Sequence, residues 1–154
     1  MMPKCYQLIG VPGSGKSTWI KNQVWALGTN VVSTDAWVED YASRTGKTYS
    51  EVFTEYMPIA VKLMADHVIK CRNDGVDIIW DQTSTTVNSR ARKFNMLPDY
   101  EHIAVVFKTP EHKELMRRLW SRPGKEIPEQ VIASMIAGWE EPTTDEGFIE
   151  IIYV

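Results

Sequence analysis

Cysteine is scarce in this chain, with only Cys5 and Cys71 among 154 residues. Each falls within an apolar or helical pattern, so both read as buried free thiols. No disulfide framework or metal-ligand spacing can be drawn through them, which suits a reducing cytoplasm (the host's, if the source is a phage). Long apolar runs are missing as well. None approaches the roughly 20 residues of a membrane-spanning helix, so no membrane partner is expected. The opening residues Met1-Met2-Pro3-Lys4 lack the apolar core of a secretion signal. Histidine is limited to His67, His102 and His112, too scattered for a nucleophilic triad or a metal site. Net charge is slight, at −3. That excludes a protein that simply coats nucleic acid, while leaving room for a local basic groove at Arg90 to Lys93 or Lys108 to Lys125. Repeats, low-complexity tracts and linker-like stretches are absent, so residues 1–154 read as a single domain, and no protein partner can be inferred.

What is present is an alternation of strands and helices. Strands are expected at Cys5 to Ile9, Val31 to Ser33, Val76 to Trp80, Ile103 to Phe107 and Phe148 to Val154. Between them the spacing predicts a helix from Lys16 to Leu27, with Trp19, Ile20, Val24 and Leu27 on one face and Gly28 as its stop. Further helices are expected over Asp35 to Ala42, Ser50 to Arg72, Asn88 to Leu97 and Glu111 to Trp120, and from Pro128 to near Gly138. Pro58 predicts a kink or a join within the Ser50 to Arg72 helix. Such alternation implies an α/β fold whose central parallel five-stranded sheet is covered on both faces. Its ligand site belongs at the carboxyl ends of the strands.

The segment Gly10-Val11-Pro12-Gly13-Ser14-Gly15-Lys16-Ser17 sits between the first strand and first helix. Glycines at these spacings let backbone N–H groups converge on one anion, while Lys16 supplies charge near the β and γ phosphates. The Ser17 hydroxyl suits Mg²⁺, and Pro12, Ser14 and Thr18 complete the cradle. This predicts an ATP-dependent phosphotransferase with ATP and Mg²⁺ as its cofactors.

Asp35, just past the second strand, has the chemistry to take a proton from an attacking hydroxyl, or it caps the next helix. Asp81, closing the third strand, positions Mg²⁺, orients an acceptor, or begins a turn. Arg118 and Arg122 stand near the Ser121 to Ile127 loop, where they either fold over ATP as a lid or stay solvated at a helix end. Arg90, with Arg92 and Lys93, either binds acceptor phosphates or lies on a solvated helix. For Trp37 and Tyr41, core packing is favoured over stacking on a base.

These residues resemble the kinase domain of the polynucleotide 5′-hydroxyl kinase family, phage and animal. The match runs through Gly10 to Trp19, Asp35, Asp81-Gln82-Thr83 with Ser89-Arg90-Ala91-Arg92, and the lid residues Arg118, Arg122 and Pro128. It continues into Glu141-Pro142-Thr143 and Glu146-Gly147-Phe148. The resemblance implies a three-layer, adenylate-kinase-like P-loop fold with the loop-bearing strand central and a short lid. It implies transfer of the γ phosphate of ATP to a 5′-hydroxyl end of DNA or RNA, with nucleic acid as substrate. Asp35 would be the base, Lys16, Ser17 with Mg²⁺, Arg118 and Arg122 the stabilisers, and Asp81, Thr83 and Arg90 the acceptor contacts. Val38 stands where the phage form has an arginine on the acceptor phosphate, and Tyr41 to Met57 shows no match that can be aligned. A nucleoside, another small alcohol or a hydroxymethylated base is the alternative acceptor; an ATP-binding module without transfer is the alternative class.

Overall fold

The structure, a computed structural model, describes residues 1–23 and 30–154. Five strands, β1 (Lys4–Ile9), β2 (Asn30–Val32), β3 (Ile78–Trp80), β4 (Glu101–Val106) and β5 (Phe148–Tyr153), form one sheet. Its order is β2-β3-β1-β4-β5 and every pairing is parallel. The loop-bearing β1 is therefore central. A central parallel strand is covered on both faces, which explains why Cys5, Gln7, Leu8 and Ile9 are all buried.

Side-chain alternation sorts the strand residues between two layers. Cys5, Val32, Ile78 and Trp80 pack against Met64, Val68 and Cys71 of α3 (Tyr49–Asp74). On the opposite face Leu8, Ile79 and Val105 meet Trp19 and Ile20 of α1 (Lys16–Asn22). Each fully buried aliphatic of this kind contributes about 1.5–3 kcal/mol. Phe94 of α4 (Val87–Met96) packs with Ile9, Ala104, Val106 and Phe148. Helix α2 (Asp35–Thr45) lies on α3 through Val38, Ala42, Val52, Tyr56 and Ala60. Beyond the strand ends, α5 (His112–Trp120) and α6 (Glu129–Ala137) bury Leu115, Met116, Leu119 and Ile132 with Val11.

Helix α1 ends at Asn22, where Gln23 turns to an extended conformation. The expected face residues Val24 and Leu27 and the stop at Gly28 lie outside the described residues. Helix α3 runs continuously through Pro58, so the alternative of a join between two helices is corrected. Pro58 and Thr54 are both exposed, so the Thr54 carbonyl that loses its usual N–H partner faces water. Strand β3 starts two residues later than its apolar run, at Ile78. Among the described residues no helix is long and apolar enough to cross a membrane.

Candidate active site

The Gly10–Ser17 loop leaves β1 under tight steric control. Gly10 N–H donates to Thr83 O at 2.9 Å. A Cβ on Gly10 would stand 2.5 Å from Ser14 Oγ and 2.9 Å from Phe107 Cβ, so the position admits hydrogen alone. Gly13 and Gly15 take φ of +84° and +103°, a region costly to other residues. Ser14 Oγ is buried with no hydrogen-bond partner among the described residues, a donor suited to a phosphate oxygen. Lys16 Nζ donates to Gly10 O at 2.8 Å and Val11 O at 3.1 Å. Burial lowers its pKa to about 8, opposed by the carboxylates of Asp81 and Asp35 and reinforced by Arg122 and Lys125.

Around this loop opens a cavity of about 800 Å³. Pro12 through Thr18, Asp35, Asp81, Thr83, Arg118 and Arg122 all line it, together with Glu39, Gln82 and Lys125. Arg118 spans from helix to loop, its Nη1 donating to Gly13 O and its Nε to Glu114 Oε1, both at 2.9 Å. Arg122 makes no ion pair among the described residues, so its guanidinium remains available to an anion in the cavity.

Asp35 opens α2 without capping it. The Ala36 N–H is taken by Ser33 Oγ at 3.2 Å, and Thr34 makes no side-chain cap bond. The carboxylate is instead held from outside its own helix. Tyr49 OH donates to Oδ1 at 2.6 Å, and Lys125 Nζ lies 3.3 Å from Oδ2. Lys125 also reaches Glu39 Oε1 at 3.1 Å and stands 4.4 Å above the Tyr49 ring. Burial, then the bond to Asp35, pushes the Tyr49 phenol well above its ordinary pKa, so it stays a neutral donor.

Asp81 follows β3, its N–H donating to Val32 O at 2.8 Å. Burial raises its carboxyl pKa; Lys16 opposes that rise and Asp35 adds to it. Gln82 ties this loop to the neighbouring one, accepting from Trp80 Nε1 at 3.0 Å and donating to Thr34 Oγ1 at 3.4 Å. No cluster of three or more His, Cys, Asp or Glu capable of holding a metal exists among the described residues. Ser17 and Asp81 share the cavity, and a few hard oxygens beside substrate phosphates is how Mg²⁺ is commonly bound, so the residues fit that ion.

Arg90 is a correction to the sequence reading. It is fully buried, and its guanidinium binds Glu146 at 2.8 and 3.2 Å, Ser84 O at 2.9 Å and Glu140 O at 2.9 Å. It joins α4 to the chain's last quarter and does not line the cavity. Lys93 is buried beside it over the Trp80 ring, and Arg92 is exposed. Tyr41 stacks on Tyr56 with ring centroids 4.1 Å apart, and Trp37 packs with the core, in accord with the favoured packing alternative. Glu39, Tyr49 and Lys125 escaped the sequence reading as individual site residues. Glu39 was within reach of it, one turn after Asp35 on the same helix face; Tyr49 carried no signal.

A family profile described as an AAA domain matches residues 7–142. A shikimate kinase of Mycobacterium avium is 37% identical over 79 residues, covering 49% of this chain and 43% of that protein. This chain thus aligns with less than half the length of that relative. Among solved structures, a candidate kinase from Chloroflexus aurantiacus superposes with a TM-score of 0.70 at 17% identity, covering 99% of this chain and 89% of the other. A chain of a Pnkp1/Rnl/Hen1 complex gives a TM-score of 0.58 at 24% identity, covering 76% and 39%. At such identities the structural likeness carries the fold alone, and that fold is the α/β P-loop kinase fold.

Proposed function

This chain belongs to the AAA domain family, and from that premise we propose that it is an ATP-dependent kinase that phosphorylates a hydroxyl, with a 5′-hydroxyl end of DNA or RNA as acceptor. One observation carries the transferase reading. Asp35 lines the same cavity as the phosphate loop, half exposed, with its carboxylate spared from helix capping. A base so placed accepts the acceptor's proton as its oxygen attacks phosphorus. Lys16, the loop amides, Arg118 and Arg122 then meet the charge that develops on the transferring phosphoryl group. Ser17 and Asp81 would hold Mg²⁺, which supplies charge neutralisation at the β and γ phosphates.

The polynucleotide acceptor is supported by the sequence segments that resemble that kinase family, of which Asp35, Asp81-Gln82-Thr83, Arg118 and Arg122 lie on the cavity. A second acceptor reading, a nucleoside or another small alcohol that is not a polyanion, is favoured by Glu39. It places a second carboxylate beside Asp35, while Val38 and Arg90 are buried away from the cleft. Two carboxylates answered by Lys125 disfavour a polyanionic chain and suit a polyol.

The test is transfer from γ-labelled ATP with Mg²⁺ to a panel: a 5′-hydroxyl oligonucleotide, a nucleoside, shikimate and gluconate. Label on the oligonucleotide that disappears in Asp35→Asn supports the first reading. Label on a small alcohol alone moves the acceptor to the second. Equal transfer by Asp35→Asn contradicts both, because each assigns the proton to Asp35.

A further inference from the structure

Tyr49 lies on none of the strand-end loops that carry the reacting groups. It begins α3, where Thr48 and Glu51 form a reciprocal cap, Glu51 N–H donating to Thr48 Oγ1 at 3.2 Å and Thr48 N–H to Glu51 Oε1 at 2.9 Å. This helix start is also bonded to the loop between α5 and α6. Ser50 N–H donates to Gly124 O at 3.0 Å, and Glu126 N–H donates to Ser50 Oγ at 2.8 Å. Gly124 sits so close that a Cβ on it would fall 2.7 Å from Thr48 Cβ. The loop that carries Arg122 and Lys125 is therefore seated on the turn that carries Tyr49.

Tyr49 itself reaches both sides of the cleft. Its hydroxyl donates to Asp35 Oδ1, and its ring lies beneath the Lys125 ammonium. We infer that Tyr49 is a positioning residue for phosphoryl transfer, holding Asp35 Oδ1 so that Oδ2 receives the acceptor's proton, and coupling that orientation to the seating of the 121–127 loop. The inference rests on Asp35 being the base.

In the step itself the acceptor O–H proton passes to Oδ2, the acceptor O–P bond forms, and the bond from the γ phosphorus to the bridging oxygen breaks. ADP leaves with that bonding pair. Tyr49 keeps its own proton throughout, as its raised pKa requires. Lys125 also contacts Oδ2, and a carboxylate oxygen accepts more than one hydrogen bond, so the acceptor hydroxyl can share that oxygen. Without the Tyr49 hydroxyl only Lys125 holds the carboxylate, whose χ2 is a broad torsion, so the productive orientation is less populated.

The experiment compares Tyr49→Phe, Asp35→Asn and the double variant. ATP turnover is followed on each panel acceptor that is phosphorylated and with water alone. Tyr49→Phe keeps the ring under Lys125 and removes only the hydroxyl. Its kcat should fall about tenfold, the scale of one hydrogen bond to a charged group, with KM for ATP and the melting temperature unchanged. In the Asp35→Asn background the same change should cost nothing further. Wild-type kcat in Tyr49→Phe overturns the inference, as does an equal loss in both backgrounds, which would mark a merely structural role. If Asp35→Asn abolishes turnover and Tyr49→Phe does not reduce it, only the positioning role falls. If Asp35→Asn turns over normally, or no acceptor including water is used, the kinase reading falls and this inference with it.

Discussion

The two halves of the cleft are built by opposite means. The donor half is centred on one continuous segment, Pro12 to Thr18, in which glycine conformations set the backbone that carries Ser14, Lys16 and Ser17. The facing half, the acceptor side under the proposed function, is made of side chains drawn together from four places: Asp35 and Glu39 on α2, Tyr49 on α3, Asp81 after β3 and Lys125 on the α5–α6 loop. A site carried on one contiguous loop keeps its geometry whatever packs elsewhere, so it suits the common chemistry of phosphate binding. A site assembled from distant side chains changes character with a single substitution, so under the proposed function acceptor choice would be set there. Shared phosphate loops among kinases of different acceptors follow from that division.

The division can be broken first at its donor end. Lys16→Ala should lower kcat/KM by about a thousandfold, since it removes the charge on the transferring group. Tight nucleotide binding should go with it. Isothermal titration and turnover assays check both losses, and retained activity would contradict the loop's role.

Arg90 offers the sharpest contrast with Arg122. Arg90→Met leaves the Glu146 carboxylate, itself only 10% exposed, without its partner. The expected cost is about 3–5 kcal/mol of stability, read by urea unfolding, with turnover per folded molecule kept. Arg122→Ala should do the reverse, lowering kcat while leaving the unfolding midpoint in place.

Lys16 also gives the donor half a pH signature. Its pKa stands near 8 in the free protein, and under the proposed role the anionic phosphates of ATP should bind the protonated amine better. Affinity should therefore be flat below pH 8 and fall above it, by at most about tenfold per pH unit for one linked proton. A dissociation constant unchanged from neutral to strongly alkaline pH would contradict this.

The smallest effect belongs to Glu39→Gln. Removing one carboxylate from the acceptor mouth should change acceptor KM several-fold and leave KM for ATP unaltered. An anionic acceptor should bind better and a neutral polyol no better, which steady-state kinetics on the panel distinguishes.

How much of this was readable in the sequence follows the same division. The phosphate loop was legible because its spacing is its geometry: Gly10 to Ser17 are neighbours in the chain and in space. Asp35 and Asp81 could be placed on the cleft because strand ends in a parallel sheet share one rim. Tyr49 and Lys125 lie 14 and 90 residues from Asp35, and they meet it only after α3 packs on α2 and the α5–α6 loop docks on Thr48. No periodicity encodes that meeting. Arg90 misled for a related reason. A charge on a helix face reads as solvated or ligand-binding, and only Glu146, 56 residues onward, makes its burial possible. The join weighed at Pro58 is absent because whether a helix continues through proline depends on which side of it meets water, a property of packing.

The central claim is that Asp35 serves transfer and not nucleotide binding. The most direct measurement pairs the ATP dissociation constant of Asp35→Asn with its rate of γ-phosphate transfer to the panel acceptor that the wild-type protein uses. The account predicts ATP affinity close to wild type and transfer reduced by about a hundredfold or more, the contribution of a positioned general base. Transfer at the wild-type rate, or loss of ATP binding in step with transfer, would contradict it.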